Sequence, residues 1–144
     1  MLQVENIHTY YGDSHILHGV SLEVKAGQVT SLLGRNGAGK TTTLLTMMGY
    51  LAPRQGSVTY KGRDISGQPA HRISRMGLGL VPQERGVFPS LTVEENLTVA
   101  ARAGRDGRWT LSGIYDLFPR LMERRDNLGF QLSGGEQQMV SIAR

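Results

Sequence analysis

The sequence contains no cysteine, which excludes disulfide scaffolds and thiolate metal sites. Aromatic residues are scarce, at 6% with a single Trp. No apolar run approaches the roughly 20 residues a membrane-crossing helix requires, so contact with a membrane would have to come through a partner. The first residues, Met1-Leu2-Gln3-Val4-Glu5-Asn6, hold neither a cationic nor an apolar stretch. No signal peptide is visible there, and a cytoplasmic setting is expected. A strong charge bias is also missing: 16 Lys and Arg stand against 12 Asp and Glu, a net charge of +4. The densest basic cluster, Arg120 to Arg125, holds three arginines with Glu123 among them, a weak basis for a nucleic-acid surface. Repeats, low-complexity tracts and linkers are absent as well, so the chain reads as one compact unit.

What the sequence does have is glycine, 19 of 144 residues, nearly twice the usual share of about 7% and a sign of backbone-lined loops and tight turns. A chain this long buries roughly 68–70% of its unfolded surface, enough for a genuine core. Leu2 to Tyr10 and Ile16 to Val24 alternate apolar and polar residues, predicting half-buried strands joined by a turn at Tyr11-Gly12-Asp13. Val29-Thr30-Ser31-Leu32-Leu33 reads as a buried strand ending at Gly34. Lys40 to Leu51 has helical spacing, stopped by Pro53. Val58 and Tyr60 mark another strand, Pro69 to Met76 a short helix, and Leu78 to Val81 a second apolar strand. Thr92-Val93-Glu94-Glu95 is a capping box opening a helix through about Arg102, followed by a loop over 103–110. A helical stretch from Ile114 to Arg125, broken at Pro119, leads to a second capping box at Ser133-Gly134-Gly135-Glu136.

Two motifs carry chemistry. Gly34-Arg35-Asn36-Gly37-Ala38-Gly39-Lys40-Thr41 satisfies G-x-x-x-x-G-K-[ST], the loop that cradles phosphates in successive backbone N–H groups where side chains would obstruct approach. A helix starting at Lys40 adds about half a positive charge at its N-terminus. In this pattern Lys40 bridges the β- and γ-phosphates, the Thr41 hydroxyl takes Mg²⁺, and Thr42 reaches the α-phosphate. Ser133-Gly134-Gly135-Glu136-Gln137, about a hundred residues later, offers two glycines and a hydroxyl at a helix N-terminus and suits a second phosphate contact made without a lysine. Taken alone it could equally be an N-capped helix.

Together these motifs resemble ATP-binding-cassette ATPases, the nucleotide-hydrolysing subunits of ABC transporters. The resemblance implies that the Ser133 to Gln137 signature acts in trans, closing over ATP held by the opposing subunit's phosphate loop. It implies that Tyr11 stacks on adenine, a place Tyr10 could also fill. Gln83, after Leu80-Val81-Pro82, takes the position of the glutamine that touches Mg²⁺ and the attacking water. Lys40 and Gln83 would be the catalytic residues, and Thr41 and Gln83 the metal contacts. The stretches Val81 to Pro89, Leu91 to Leu97, Asp116 to Leu121 and Gln137-Gln138-Met139 are similar to ATPase subunits of branched-chain amino-acid importers, with urea and amide importers close by.

The implied fold is α/β: a P-loop NTPase with a RecA-like parallel sheet, an antiparallel β subdomain and a helical subdomain. Residues 1–91 would form the ATP-binding core and β subdomain, and residues 92–144 the helical subdomain. In the family the second acidic motif, the catalytic glutamate and the switch histidine follow the signature, so the C-terminal part of the domain is expected beyond Arg144 and the 144 residues alone are expected to be inactive. The implied cofactors are ATP and Mg²⁺. The implied partners are a second ATPase subunit, transmembrane permease subunits at the cytoplasmic face and, indirectly, a solute-binding protein, with no nucleic acid. A DNA-maintenance ATPase is disfavoured because no long coiled-coil arm separates the motifs, while a non-hydrolytic nucleotide-binding fragment remains the other reading. His15 and His18, three apart in a predicted strand, should face opposite sides, which disfavours a shared metal site.

Overall fold

Alternating apolar residues make Leu2–Tyr11 a strand, β1, whose Leu2, Val4, Ile7 and Thr9 point into the core. It pairs antiparallel with β2 (Ser14–Val24) across a turn at Gly12, where φ is +56°. On its other side it pairs with β3 (Gln55–Tyr60), which turns back into β4 (Arg63–Asp64), giving the order β2-β1-β3-β4. Lys61 and Gly62 take φ of +49° and +74°, the pair of positive angles that a two-residue hairpin turn needs to match strand twist. The computed structural model describes residues 1–99, 101 and 109–144. These form two compact units, Met1–Leu80 and Val81–Arg144, rather than the single unit expected. The segment 81–91 belongs with the helical unit, because Asn96, fully buried, accepts from Phe88 N and donates to the carbonyls of Phe88, Leu91 and Thr92.

In the first unit, α1 (Lys40–Met47) lies on the sheet. Thr46 Oγ1 donates to Thr42 O at 2.8 Å and accepts from Thr9 Oγ1 at 3.1 Å, so the buried polar pair between helix and strand is satisfied. Met47, Met48, Ile65 and Ile73 complete the core. The helix ends earlier than its expected stop at Pro53. Gly49, at φ +73°, lets its N–H reach Thr46 O and Tyr50 N–H reach Leu45 O, the paired bonds of a glycine C-terminal cap. A β-carbon there would collide with Gln68 O. α2 spans Ala70–Arg75.

Neither expected parallel strand forms. Val29 to Leu33 has no sheet partner among the described residues, and Val29 and Leu33 are 97% and 89% exposed. Leu78 and Leu80 pack against the core without joining a sheet. A strand exists only with a neighbour to take its N–H and C=O groups, and the four antiparallel strands offer none to these segments. The prediction for His15 and His18 also fails. Thr9 pairs with Leu17 but Tyr10 pairs with His15, so Ile16 is an extra residue in a β-bulge. The slip brings the two imidazoles to one side, with centroids 3.8 Å apart.

The second unit is helical. α3 (Val93–Thr98) opens with the predicted capping box: Thr92 Oγ1 accepts from Glu95 N at 3.2 Å, and Glu95 Oε2 accepts from Thr92 N at 2.7 Å. Ala100 and residues 102–108 lie outside the described residues, and with them the expected helix end at Arg102 and most of the 103–110 loop. The predicted break at Pro119 separates α4 (Leu111–Leu117) from α5 (Pro119–Glu123). A 3-10 turn at Gly129–Gln131 leads to α6 (Gly134–Ala143). Val93, Leu97, Leu121, Leu132 and Val140 form this unit's own core.

Candidate functional site

The phosphate loop is built from the helix backwards. Gly39 caps α1 in the left-handed conformation, φ +87°, with no side-chain cap and no acidic residue in the first turn. A β-carbon on Gly39 would sit 2.7 Å from Leu17 Cδ2, so only glycine lets the loop pass this close to β2. Gly37 is also left-handed, at φ +82° with open space around it. Lys40 Nζ donates to Gly34 O at 2.7 Å and Arg35 O at 2.8 Å, folding its ammonium across the loop. Asn36, Ala38 and Arg35 are exposed along its rim.

This arrangement fits a polyphosphate. The first N–H groups of α1 carry neither a side-chain cap nor an acidic residue in the first turn, and the loop before them holds the Lys40 ammonium on its carbonyls, a combination that suits phosphate at a helix N-terminus. The Thr41 hydroxyl is exposed and available to Mg²⁺. Among the described residues no group of three or more His, Asp or Glu could hold a metal ion, and within the phosphate loop and the first turn of α1 the exposed hydroxyl on offer to Mg²⁺ is that of Thr41. Thr42 is only 7% exposed, which sets its side chain largely in the core rather than at the loop surface.

Of the two candidate aromatics, the structure leaves Tyr11 open. Tyr10 stacks on His15 at 4.1 Å with planes 5° apart, and the Arg54 guanidinium lies 4.2 Å from its ring centre. Arg54 Nη2 also donates to Gly12 O at 2.7 Å, holding the turn after Tyr11. Tyr11 itself is 47% exposed. No sequence motif marks Arg54 or its stack, since both depend on cross-strand register. His15 has its pKa lowered by desolvation and then by neighbouring His18.

In the second unit, Gln83 is exposed on a turn after Pro82. The signature forms the start of α6. Ser133 Oγ accepts from Glu136 N at 3.3 Å, and Glu136 Oε2 accepts from Ser133 N at 2.8 Å. The resemblance places Glu136 among the nucleotide-binding residues, and its carboxylate is turned inward. It is 9% exposed, and its other oxygen accepts from Arg120 Nε at 3.0 Å and faces Arg124 Nε at 3.6 Å. The Ser133 backbone N–H, its hydroxyl and Arg120 hold the Glu136 pKa below the ordinary carboxylate value. The residues left facing outward are Ser133 and Gly135, exposed, with Gly134 half-buried.

Sequence reasoning missed Arg85. Its guanidinium lies over Gly134, where a β-carbon would meet Nη1 and Nη2 at 2.9 Å, and Nη1 donates to Gln137 Oε1 at 3.3 Å. Gln137 in turn donates through Nε2 to Gly129 O at 3.2 Å. A left-handed φ of +62° at Arg85 could not be anticipated from a residue type that rarely adopts it.

Comparison with known proteins agrees with this geometry. The profile of the ABC transporter family matches residues 17–144. The high-affinity branched-chain amino acid transport ATP-binding protein BraG of Pseudomonas aeruginosa is 42% identical over the whole chain, which covers 63% of that protein. The probable branched-chain amino acid transport ATP-binding protein LivF of Archaeoglobus fulgidus is 34% identical over 99% of the chain and 61% of the relative. A lipopolysaccharide export ATP-binding protein, LptB of Haemophilus influenzae, is 38% identical over all of the chain and 61% of its own length. Among solved structures, an ATP-binding cassette of an ABC transporter in its ADP conformation superposes with a TM-score of 0.83 at 27% identity, over 100% of this chain and 63% of that one. The chain therefore spans a little under two thirds of the length of these relatives. Among the described residues no helix is long and apolar enough to cross a membrane.

Proposed function

The chain belongs to the ABC transporter family, and from that membership we propose that its protein is the ATP-binding and ATP-hydrolysing subunit of an importer that energises uptake of branched-chain amino acids. The observation that carries the nucleotide reading is the phosphate loop: an uncapped helix start, two left-handed glycines and an ammonium folded over the loop. The choice of solute follows the 42% identity to BraG.

The residues are assigned parts as the family resemblance implies, and their settings support some of them. On nucleotide binding, Lys40 exchanges its two carbonyl acceptors for β- and γ-phosphate oxygens, and the backbone N–H groups of Gly37 to Thr42 close around the phosphates. Thr41 would hold Mg²⁺, which when bound would supply charge neutralisation at the phosphates. Tyr11 offers its ring face to adenine, a role supported by the engagement of Tyr10 with His15 and Arg54. Gln83 would orient the attacking water and would contact Mg²⁺, as the family resemblance implies. Ser133, Gly134, Gly135 and Gln137 contact the γ-phosphate of nucleotide bound by a second ATPase subunit. Permease subunits at the cytoplasmic face, fed by a solute-binding protein, complete the transporter.

Uptake of labelled leucine by proteoliposomes holding the full-length subunit, its permease and its binding protein tests the proposal. ATP-dependent uptake and phosphate release, both lost in Lys40→Ala, are expected. Phosphate release that survives Lys40→Ala would refute the loop assignment. ATP-driven turnover without uptake of any branched-chain amino acid would refute the choice of solute.

A further inference from the structure

We propose that Arg85 is a positioning residue that clamps the turn carrying Gln83 to the start of α6, so that the Gln83 turn and the signature helix move as one piece; this rests on the signature's nucleotide-contacting role proposed above. The guanidinium fills the space over Gly134 that a side chain would need, with Nη1 and Nη2 each 2.9 Å from the position of a β-carbon. Its hydrogen bond to Gln137 continues through the Gln137 amide to Gly129 O. Gly129 in turn presses on the same loop, where a β-carbon would meet Phe88 O at 2.5 Å. The chain of contacts thus runs from residue 85 to α6 and back to residue 88. A second attachment lies at the far end of the helix. Arg144 Nη1 donates to Gly86 O at 2.9 Å, and its guanidinium sits 5.1 Å from the Phe88 ring centre.

Two physical arguments set this link apart from ordinary helix stabilisation. A cation beside a helix N-terminus is opposed by the helix dipole, so Arg85 does not stabilise α6 electrostatically. Its backbone is also left-handed, at φ +62°, a conformation that glycine would adopt without strain and that persists only where surrounding contacts over-determine it. What the side chain contributes is geometry, fixing the two glycines and Gln137 of the signature relative to the Gln83 turn.

The test uses the full-length subunit and the variants Arg85→Gly, Arg85→Lys, Gln137→Ala and Ser133→Arg, with MgATP affinity, steady-state kcat and KM, and thermal unfolding measured for each. Arg85→Gly should leave the thermal midpoint and MgATP affinity unchanged while lowering kcat about ten- to hundredfold, the scale of a small misplacement of catalytic groups. Arg85→Lys should restore only part of the rate. Adding Arg85→Gly to Gln137→Ala should cost no further rate, because the hydrogen bond that joins the two side chains is already lost. Arg85→Gly with kcat within twofold of the parent overturns the clamp, as does a loss of kcat matched by equal losses of stability and nucleotide affinity. If Ser133→Arg keeps full kcat, the signature reading itself fails and the clamp with it. An inactive Ser133→Arg beside a fully active Arg85→Gly overturns the clamp alone.

Discussion

The two helix starts that carry the motifs solve the same problem in opposite ways. At α1 the cap residue is Gly39, no side chain accepts from the first turn, and no acidic residue lies in it. At α6 the cap is Ser133, reciprocally bonded to Glu136, whose carboxylate also binds Arg120. Every α-helix begins with four N–H groups lacking an intrahelical partner. α6 satisfies part of that set internally. By contrast, α1 leaves the set open, the state in which an anionic ligand gains most from the backbone. On the function proposed above, this difference in capping is what would make α1 the primary phosphate site and α6 an auxiliary contact.

The largest expected effect separates the glycines at the two ends. Gly39→Ala should destabilise the protein in urea unfolding by roughly 1–3 kcal/mol from its left-handed backbone, with overpacking against Leu17 adding about as much. Gly135→Ala, which meets nothing within 4 Å, should instead be neutral or stabilising by up to about 1 kcal/mol, since alanine is the better helix former. Equal losses at both sites would erase the distinction. Next in size, Ser133→Ala should cost about 1 kcal/mol in the same assay through the lost cap, and an unchanged midpoint would show that the Ser133–Glu136 box carries no weight.

The smallest effect is in pH dependence. The pKa of Glu136 is depressed in the folded state, so as pH falls below about 4.5 the unfolded chain takes up the proton first. Its contribution is present above that value and is lost as pH falls through the lower, folded pKa. Glu95, held down by the Thr92 backbone N–H and hydroxyl, acts in the same direction. Glu136→Gln should flatten the acid limb of stability below about pH 4.5, and an identical limb in the variant would contradict the assignment.

Features set by nearby residues were legible in the sequence. Both capping boxes, the break at Pro119, the first two strands and the phosphate loop each depend on a few neighbours along the chain. What could not be read depends on partners elsewhere. Val29 to Leu33 has a strand's composition, but strand pairing belongs to two segments at once. The left-handed backbone of Gly49 ends α1 before Pro53, and the position is held to glycine by Gln68 O, a contact no local pattern records. The His15–His18 contact needed the bulge at Ile16, and Arg85 needed the fold to bring it over Gly134. The direction of the Glu136 carboxylate is likewise not fixed by its place in a motif: it bonds the helix's own cap and Arg120.

Calorimetric titration of MgATP into the full-length subunit at a concentration where it is monomeric tests the division between the two helix starts most directly. Lys40→Ala should abolish measurable binding, because Lys40 is the cation folded over the loop. Ser133→Arg should leave the dissociation constant within about twofold of the parent, a free-energy change under roughly 0.5 kcal/mol. Unchanged affinity in Lys40→Ala, or a loss in Ser133→Arg comparable to that in Lys40→Ala, would contradict the assignment of the primary phosphate site to α1 alone.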